Sequence, residues 1–165
     1  MNKHFTFIAN YDNFDNLKRL VESLTEKDWK SFTKRKTIAS ENVYTIPLIY
    51  PRKSVQNSLH QHLNSFIEHI KLVEQLVGME VQRGILVNLP AHQEIRRHMD
   101  RGEFLQSTHR IHLPVITNSK CLFSIGDEEM VIPAGQLWEV NNTGEYHNVK
   151  NDGDFDRIHL IVDVK

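Results

Sequence analysis

Ten histidines among 165 residues, against seven glycines, are the first chemical feature of this chain. Imidazole is the side chain most used for metal ligation and for proton transfer near neutral pH. In Arg97-His98-Met99-Asp100 the period of two along a strand turns His98 and Asp100 to one face, where a ring nitrogen and a carboxylate oxygen can reach one ion. A histidine from a neighbouring strand would complete a two-His, one-carboxylate set on an octahedral Fe(II), with positions open for a chelating co-substrate and dioxygen. His147, just after a turn, fits that place. Alone, the His-x-Asp pattern is weak, because ten His and nine Asp in this length produce about half an occurrence by chance. His92-Gln93-Glu94 is a rival pair of the same type six residues earlier, and spacing does not choose between them.

Arg157 adds a geometric argument. If Asn151 to Asp156 form a hairpin loop, His147 pairs near Leu160 and Arg157 is offset from it by about three residues, roughly 10 Å at strand rise. That offset suits a short dicarboxylate: a 2-oxoacid chelated at one end would extend its far carboxylate to a guanidinium, which holds it through two parallel hydrogen bonds. The plain structural alternative is an arginine at a strand end paired with Asp154 or Asp156.

These residues need strands to carry them, and the sequence after Gly78 provides the pattern. Short runs punctuated by Gly, Pro and Asn predict strands at Val81–Leu89, Gln93–Asp100, Arg110–Ile116, Cys121–Ile125, Met130–Ile132, Leu137–Val140, His147–Lys150 and Arg157–Val164, an antiparallel sandwich or barrel. The tetrad Arg-Ile-His-Leu occurs at Arg110–Leu113 and again at Arg157–Leu160, a repetition with meaning only if the two strands are neighbours. Before Gly78 the periodicity is helical. Leu17, Leu20, Val21 and Leu24 recur behind Asp12, an N-cap candidate; Thr25 to Asp28 reads as a fresh cap; and an apolar stripe from Leu59 to Leu76 predicts a longer helix over Ser54–Gly78. His60, His62 and His69 on that helix are two, seven and nine residues apart, not the three or four that a helical metal pair needs, so they are read as solvated or partly packed.

Composition narrows the class. Twenty Lys plus Arg against twenty-one Asp plus Glu leave a net charge of −1, with no basic surplus to draw the chain to nucleic acid. With 39% hydrophobic and 25% charged residues the chain is an ordinary globular one, expected to form a single domain over residues 1–165. Cys121 is the only cysteine, so an internal disulfide and a thiolate zinc site are both impossible. No run approaches a membrane span, and a reducing, cytoplasmic setting is expected. Among secondary candidates, Arg96, Arg97 and Arg101 flank the proposed ligands but are read as solvated charge, with parity placing Arg97 and Arg101 opposite His98. Trp138 reads as packing, His159 as a core histidine bonded to backbone, His109 as without a role, and Cys121 as buried filler.

From about Leu86 to Lys165 the chain resembles the aspartyl/asparaginyl β-hydroxylase family of Fe(II)- and 2-oxoglutarate-dependent oxygenases, and is similar to the free-proline cis-hydroxylases. The resemblance lies in ordered blocks: Leu89-Pro90, His98-Met99-Asp100, His109 to Pro114, Gly135 to Asn142, His147 to Asn151, and Arg157 to Asp163. It implies a mainly β double-stranded β-helix, a cupin-like jelly roll formed by residues 79–165, with a mostly helical part, residues 1–78, packed on it. It implies metal ligation by His98, Asp100 and His147, a hold on the distal carboxylate of 2-oxoglutarate by Arg157, and a co-substrate pocket lined by Arg110 and His112. The implied reaction couples oxidative decarboxylation of 2-oxoglutarate to succinate and carbon dioxide with hydroxylation of a C–H bond by O2. The substrate would be a free amino acid or a peptide or protein side chain. Animal members look like two-His sites without the carboxylate, so Asp100 aligns this chain with the proline-hydroxylating and other bacterial branches. Two competing readings are a non-catalytic cupin-like module that binds a small ligand or metal, and a cupin enzyme that dispenses with 2-oxoglutarate and leaves Arg157 nothing to hold.

Overall fold

The computed structural model describes residues 3–31, 42–49 and 64–165. In chain order these form β1 (Phe5–Asn10), α1 (Phe14–Glu22), α2 (Glu26–Ser31), β2 (Tyr44–Ile49), α3 (Asn64–Val77), β3 (Val81–Leu89), β4 (Gln93–His98), α4 (Glu103–Gln106), β5 (His109–Ile116), β6 (Cys121–Ile125), β7 (Glu128–Met130), β8 (Gln136–Val140), β9 (His147–Asn151) and β10 (Arg157–Val164). The strands build a jelly roll of two antiparallel sheets, a major one in the order β1-β8-β5-β10-β3-β2 and a minor one in the order β4-β9-β6-β7. No helix among the described residues is long and apolar enough to cross a membrane.

The N-terminal part contributes two strands besides its helices. β1 pairs with β8 and β2 with β3, so each forms an edge of the major sheet. Pro47 within β2 is compatible with that edge position, because proline has no N–H to give to a ladder. Helix α1 opens on Asn13 rather than Asp12, without a side-chain cap. At α2 the expected cap is reciprocal: the Thr25 N–H donates to Asp28 Oδ2 (2.8 Å) and the Asp28 N–H to Thr25 Oγ1 (3.3 Å). The start expected for the long helix at Ser54 lies outside the described residues, as do His60 and His62. α3 ends at Gly78, whose φ of +69° suits glycine and whose N–H closes on the Glu74 carbonyl. His69 is buried in α3, away from the site, with Nδ1 2.6 Å from the Tyr11 hydroxyl.

The major sheet is covered on both faces. Outside it, Leu17 and Val21 of α1 and Phe66, Ile70 and Val73 of α3 pack on Ile46, Leu86, Ile111, Leu113, Leu160 and Val162. Inside, Ile85, Val87, Leu89 and Ile161 meet Phe123, Ile125 and Val149 of the minor sheet. Removing each such side chain from water stabilises the fold by about 1.5–3 kcal/mol.

The hairpin expected between His147 and Leu160 does not form. β9 pairs with β4 and β6, whereas β10 pairs with β3 and β5, so the segment after Asn151 crosses from one sheet to the other. His147 and Arg157 therefore lie on facing sheets. The crossing is held by the fully buried Asn151 side chain. Its Nδ2 donates to the carbonyls of Leu89, Pro90 and Phe155 (3.1, 3.1 and 2.8 Å), while its Oδ1 accepts from Asn118, the Cys121 thiol and the Gly153 N–H. Gly153 has to lack a Cβ, which would sit 2.3 Å from Asn118 Nδ2.

Losing these bonds strands several buried partners, each costing about 1–3 kcal/mol. Asn151→Ala is expected to lower unfolding stability by about 3 kcal/mol or more, and Asn151→Asp, which loses the donors, by at least as much. Urea midpoints of both, set beside the half-exposed Asn148→Ala, check this.

Candidate metal and co-substrate site

His98 reaches the interior because β4 contains a bulge. Ile95 pairs with Val149 and His98 with His147, so three steps along β4 match two along β9. Unbulged alternation would put His98 on the face opposite Ile95; the extra residue turns both inward, and both line the same cavity. Asp100 lies past the end of the strand, tied to Thr143 by an isolated bridge. The result is the expected convergence: ligand-type atoms of His98, Asp100 and His147 all lie within 4.8 Å of one another. His98 Nε2 is 3.6 Å from Asp100 Oδ1, and His147 Nε2 is 3.9 Å from Oδ2.

The donor set fits a divalent ion. A carbonyl oxygen can only accept, so His98 Nδ1, 2.8 Å from the Arg96 carbonyl, and His147 Nδ1, 3.1 Å from that of Glu145, both carry protons. Each ring therefore presents the lone pair of Nε2 to the cluster, the arrangement that ligating histidines use. Asn142 Nδ2 donates to His147 Nε2 (3.1 Å) and to Asp100 Oδ2 (3.3 Å), the latter oxygen also taking Arg110 Nη1 at 2.8 Å. Burial pushes the Asp100 carboxyl up, but contact with His98 and the charges of Arg110 and His147 outweigh it and hold the group well below the usual carboxylate range. Burial pushes His147 down, whereas the Asp100 contact pulls His98 up against a smaller effect of burial.

The rival pair does not join them. His92 is exposed, in the left-handed region at φ 57°, 3.3 Å from Asp154, and Glu94 faces Arg96 on the surface.

The His-Asp-His cluster opens into a cavity of about 520 Å³ between the sheets, whose walls include Arg110, His112 and Arg157. The repeated tetrad explains this. β5 and β10 are antiparallel neighbours, and in both the Arg and His face inward while Ile and Leu face the helices. Opposite chain directions send Arg110 to the Asp100 end and Arg157 to the other, and the histidines meet between them, His112 Nδ1 being 3.2 Å from His159 Nδ1. Arg157 Nη2, which can only donate, lies 3.1 Å from His159 Nδ1. That atom is therefore an acceptor, and His159 is bonded to side chains rather than to backbone. Both Nε2 atoms of this pair are buried without a partner.

Arg157 itself is 3% exposed, and burial pushes its pKa down to about 10. Asp154 is beside His92, and Asp156 accepts instead from Asn88 and the Ala91 N–H. Among the described residues no carboxylate pairs with this guanidinium. Arg97 stacks on the Tyr146 ring and, with Arg96, stands at the cavity wall, because the bulge brings both there. Trp138 is half-buried against Phe7, His109 pairs with Glu139, and the Cys121 thiol is buried on Asn151.

The aspartyl/asparaginyl β-hydroxylase family model matches residues 8–165. The chain belongs to that family. This makes it, by class, a 2-oxoglutarate-dependent hydroxylase. Solved structures agree in fold. A prolyl hydroxylase from Trichoplax adhaerens, in complex with a hypoxia inducible factor peptide fragment, superposes with TM-score 0.69 at 10% identity, covering 99% of this chain and 84% of that one. An oxidoreductase of the 2-oxoglutarate–Fe(II) oxygenase family from Burkholderia pseudomallei gives 0.68 at 10% identity, covering 97% and 84%. A Pseudomonas putida prolyl-4-hydroxylase gives 0.64 at 13%, covering 99% and 93%. No curated protein sequence matches this hydroxylase-family chain.

Three side chains of the site lay outside the expectation: Asn142, Asp163 and Arg83. Asp163 had a signal, since it shares parity with Arg157 and His159 on a strand whose alternate residues are Ile, Leu, Val and Val. Arg83 had none.

Burial, reinforced by the Arg157 charge, pushes His112 and His159 well below the ordinary imidazole value. The unfolded chain then binds protons that the fold does not as pH drops below about 6.5, so their contribution to stability is present at higher pH and lost on acidification, by up to about 1.4 kcal/mol per pH unit for each. His98, shifted upward, acts in the opposite sense. The difference between wild type and His159→Gln isolates the pair: urea unfolding at pH 7.5, 6.5 and 5.5 is expected to give a shallower pH slope in the variant, and equal slopes would refute the neutral assignment.

Proposed function

We propose that His98, Asp100 and His147 hold Fe(II), that Arg157 holds the distal carboxylate of 2-oxoglutarate, and that Arg110 and His112 shape the end of the pocket near the metal. The observation that carries this reading is the desolvated guanidinium of Arg157, which shares one cavity with the His-Asp-His cluster and has no acid of its own among the described residues. A buried charge is costly unless paired. A dicarboxylate co-substrate supplies the missing partner in the bidentate form that a guanidinium favours. A cupin enzyme without 2-oxoglutarate would leave that charge unanswered.

Bound iron, with 2-oxoglutarate and O2, supplies the oxidising power for hydroxylation, and the remaining work falls to the chain. The two Nδ1–H bonds to the Arg96 and Glu145 carbonyls keep both imidazoles in the ligating tautomer. Arg110 occupies Asp100 Oδ2 and leaves Oδ1 to the ion, which would take the His147 Nε2 lone pair in place of the Asn142 amide. Ile85, Val87, Phe123 and Ile161 keep the pocket wall apolar, which strengthens the Arg157–carboxylate pair by excluding water. The substrate is an amino acid or an amino-acid side chain, hydroxylated at a C–H bond with release of succinate and carbon dioxide.

Anaerobic titration of the Fe(II) protein with 2-oxoglutarate is expected to produce the weak visible charge-transfer band of a chelated oxoacid. Arg157→Ala should weaken 2-oxoglutarate at least a hundredfold, the lower end of the about 3–5 kcal/mol lost when one partner of a buried pair is removed. Fe(II) affinity should be almost unaffected in that variant and lost in His98→Ala and Asp100→Ala. Equal 2-oxoglutarate affinity in wild type and Arg157→Ala would overturn the assignment of the co-substrate.

A further inference from the structure

Asp163 is buried on the central strand β10, directly opposite Arg83 of β3 on one side and Arg110 of β5 on the other. Its Oδ2 accepts from Arg83 Nε at 2.6 Å and is 2.5 Å from Nη2, while its Oδ1 accepts from Arg110 Nε at 2.9 Å. Arg110 then turns its Nη1 to Asp100 Oδ2 at 2.8 Å. Alternating charges thus run Arg83, Asp163, Arg110, Asp100 across the sheet and out to the cluster, summing to zero.

Asp100 depends on this line more than the two histidines do. They sit in a ladder, paired with each other, whereas Asp100 lies beyond the end of β4 on an isolated bridge. Its carboxylate is placed by side chains, and the strongest of these is a planar guanidinium whose orientation Asp163 determines from the other edge. We propose that Asp163 is a positioning residue for the metal carboxylate, acting through Arg110, and that Arg83 tempers it. Asp163 fixes the plane of Arg110, and Arg83 takes up part of the Asp163 charge, so that Arg110 holds Asp100 firmly enough to aim Oδ1 without neutralising it. The proposal rests on the reading that Asp100 is a metal ligand.

The two residues carry opposite charges, so their removal is expected to act with opposite sign. In Asp163→Asn the chain gains net positive charge beside the site, and Arg110 is left to bear wholly on Asp100; affinity for a divalent ion falls. In Arg83→Met all of Asp163 is available to Arg110, whose hold on Asp100 slackens; affinity stays the same or rises. A residue that served only the packing of the sheet would weaken ion binding in both variants.

Co(II) is the probe, titrated into the full chain and followed by its visible absorption and by calorimetry, with His98→Ala as the reference for site-specific binding. Asp163→Asn should raise the Kd at least tenfold, in line with the usual effect of outer-shell partners, while Arg83→Met leaves it at or below the wild-type value. Equal weakening in both folded variants, or no change in Asp163→Asn, overturns the positioning role and leaves the metal site standing. Wild type that binds no Co(II) in a His98-dependent way overturns the metal site and this proposal with it. Should Asp163→Asn fail to fold, Arg83→Met still decides: a Kd above wild type overturns the proposal, and one at or below it upholds it.

Discussion

The central strand β10 carries its charged residues on a face that is buried. Arg157, His159 and Asp163 point between the sheets, and Ile158, Leu160, Val162 and Val164 point at the helices; all eight residues are shielded from solvent. Desolvating a guanidinium, an imidazole and a carboxylate on one strand is affordable only because the other face is a continuous apolar layer covered by α1 and α3. The helices do not touch the cavity, yet the cavity depends on them. This departs from the usual two-layer sandwich, in which the outer face of each sheet is polar and meets water.

Within that shielded space the polar groups determine one another's roles by exclusion. Backbone carbonyls can only accept and guanidinium groups can only donate, so each histidine in contact with one of them is forced into a single tautomer. At the metal end this exposes Nε2 lone pairs on His98 and His147. At the other end it makes His159 an acceptor and keeps it neutral beside Arg157. The cavity thus presents imidazole lone pairs and a carboxylate at one end and, farther along, a guanidinium with no carboxylate partner among the described residues.

Much of this was legible in the sequence for identifiable reasons. His98, Asp100 and His147 are candidates by residue type, parity and turn placement, which leave His92 and Glu94 as rivals until the family resemblance chooses between them, and the inward parity of Arg157 follows from alternation with Ile, Leu and Val. The repeated Arg-Ile-His-Leu had a meaning that only topology could release, since antiparallel neighbours turn a repetition into a pair of cations at opposite ends. The path from His147 to Arg157 was misread because a short turn between two strands locally favours a hairpin. What prevents it is the Asn151 side chain, whose partners come from three separate stretches of chain and cannot be inferred from local pattern. The edge strands β1 and β2 were missed for a related reason: their partners are distant in sequence, β8 and β3. Arg83 is invisible to any local pattern, because its importance comes only from lying opposite Asp163.

The bulge in β4 makes strand register, rather than the identity of the residues inside it, what brings His98 to the cavity. Arg96 and Arg97 can change type and His98 still faces His147; remove either one and the strand recovers strict alternation, two steps matching two, with Ile95 and the imidazole still on the inner face. A chain of this family lacking one residue between Ile95 and His98 would bring its histidine to the same face without a bulge, whereas one with three steps there and no bulge would retain His-x-Asp as text and turn its imidazole outward. For this stretch, the length of the segment and the presence of the bulge have to be read together to tell whether a relative brings its His-Asp-His cluster together.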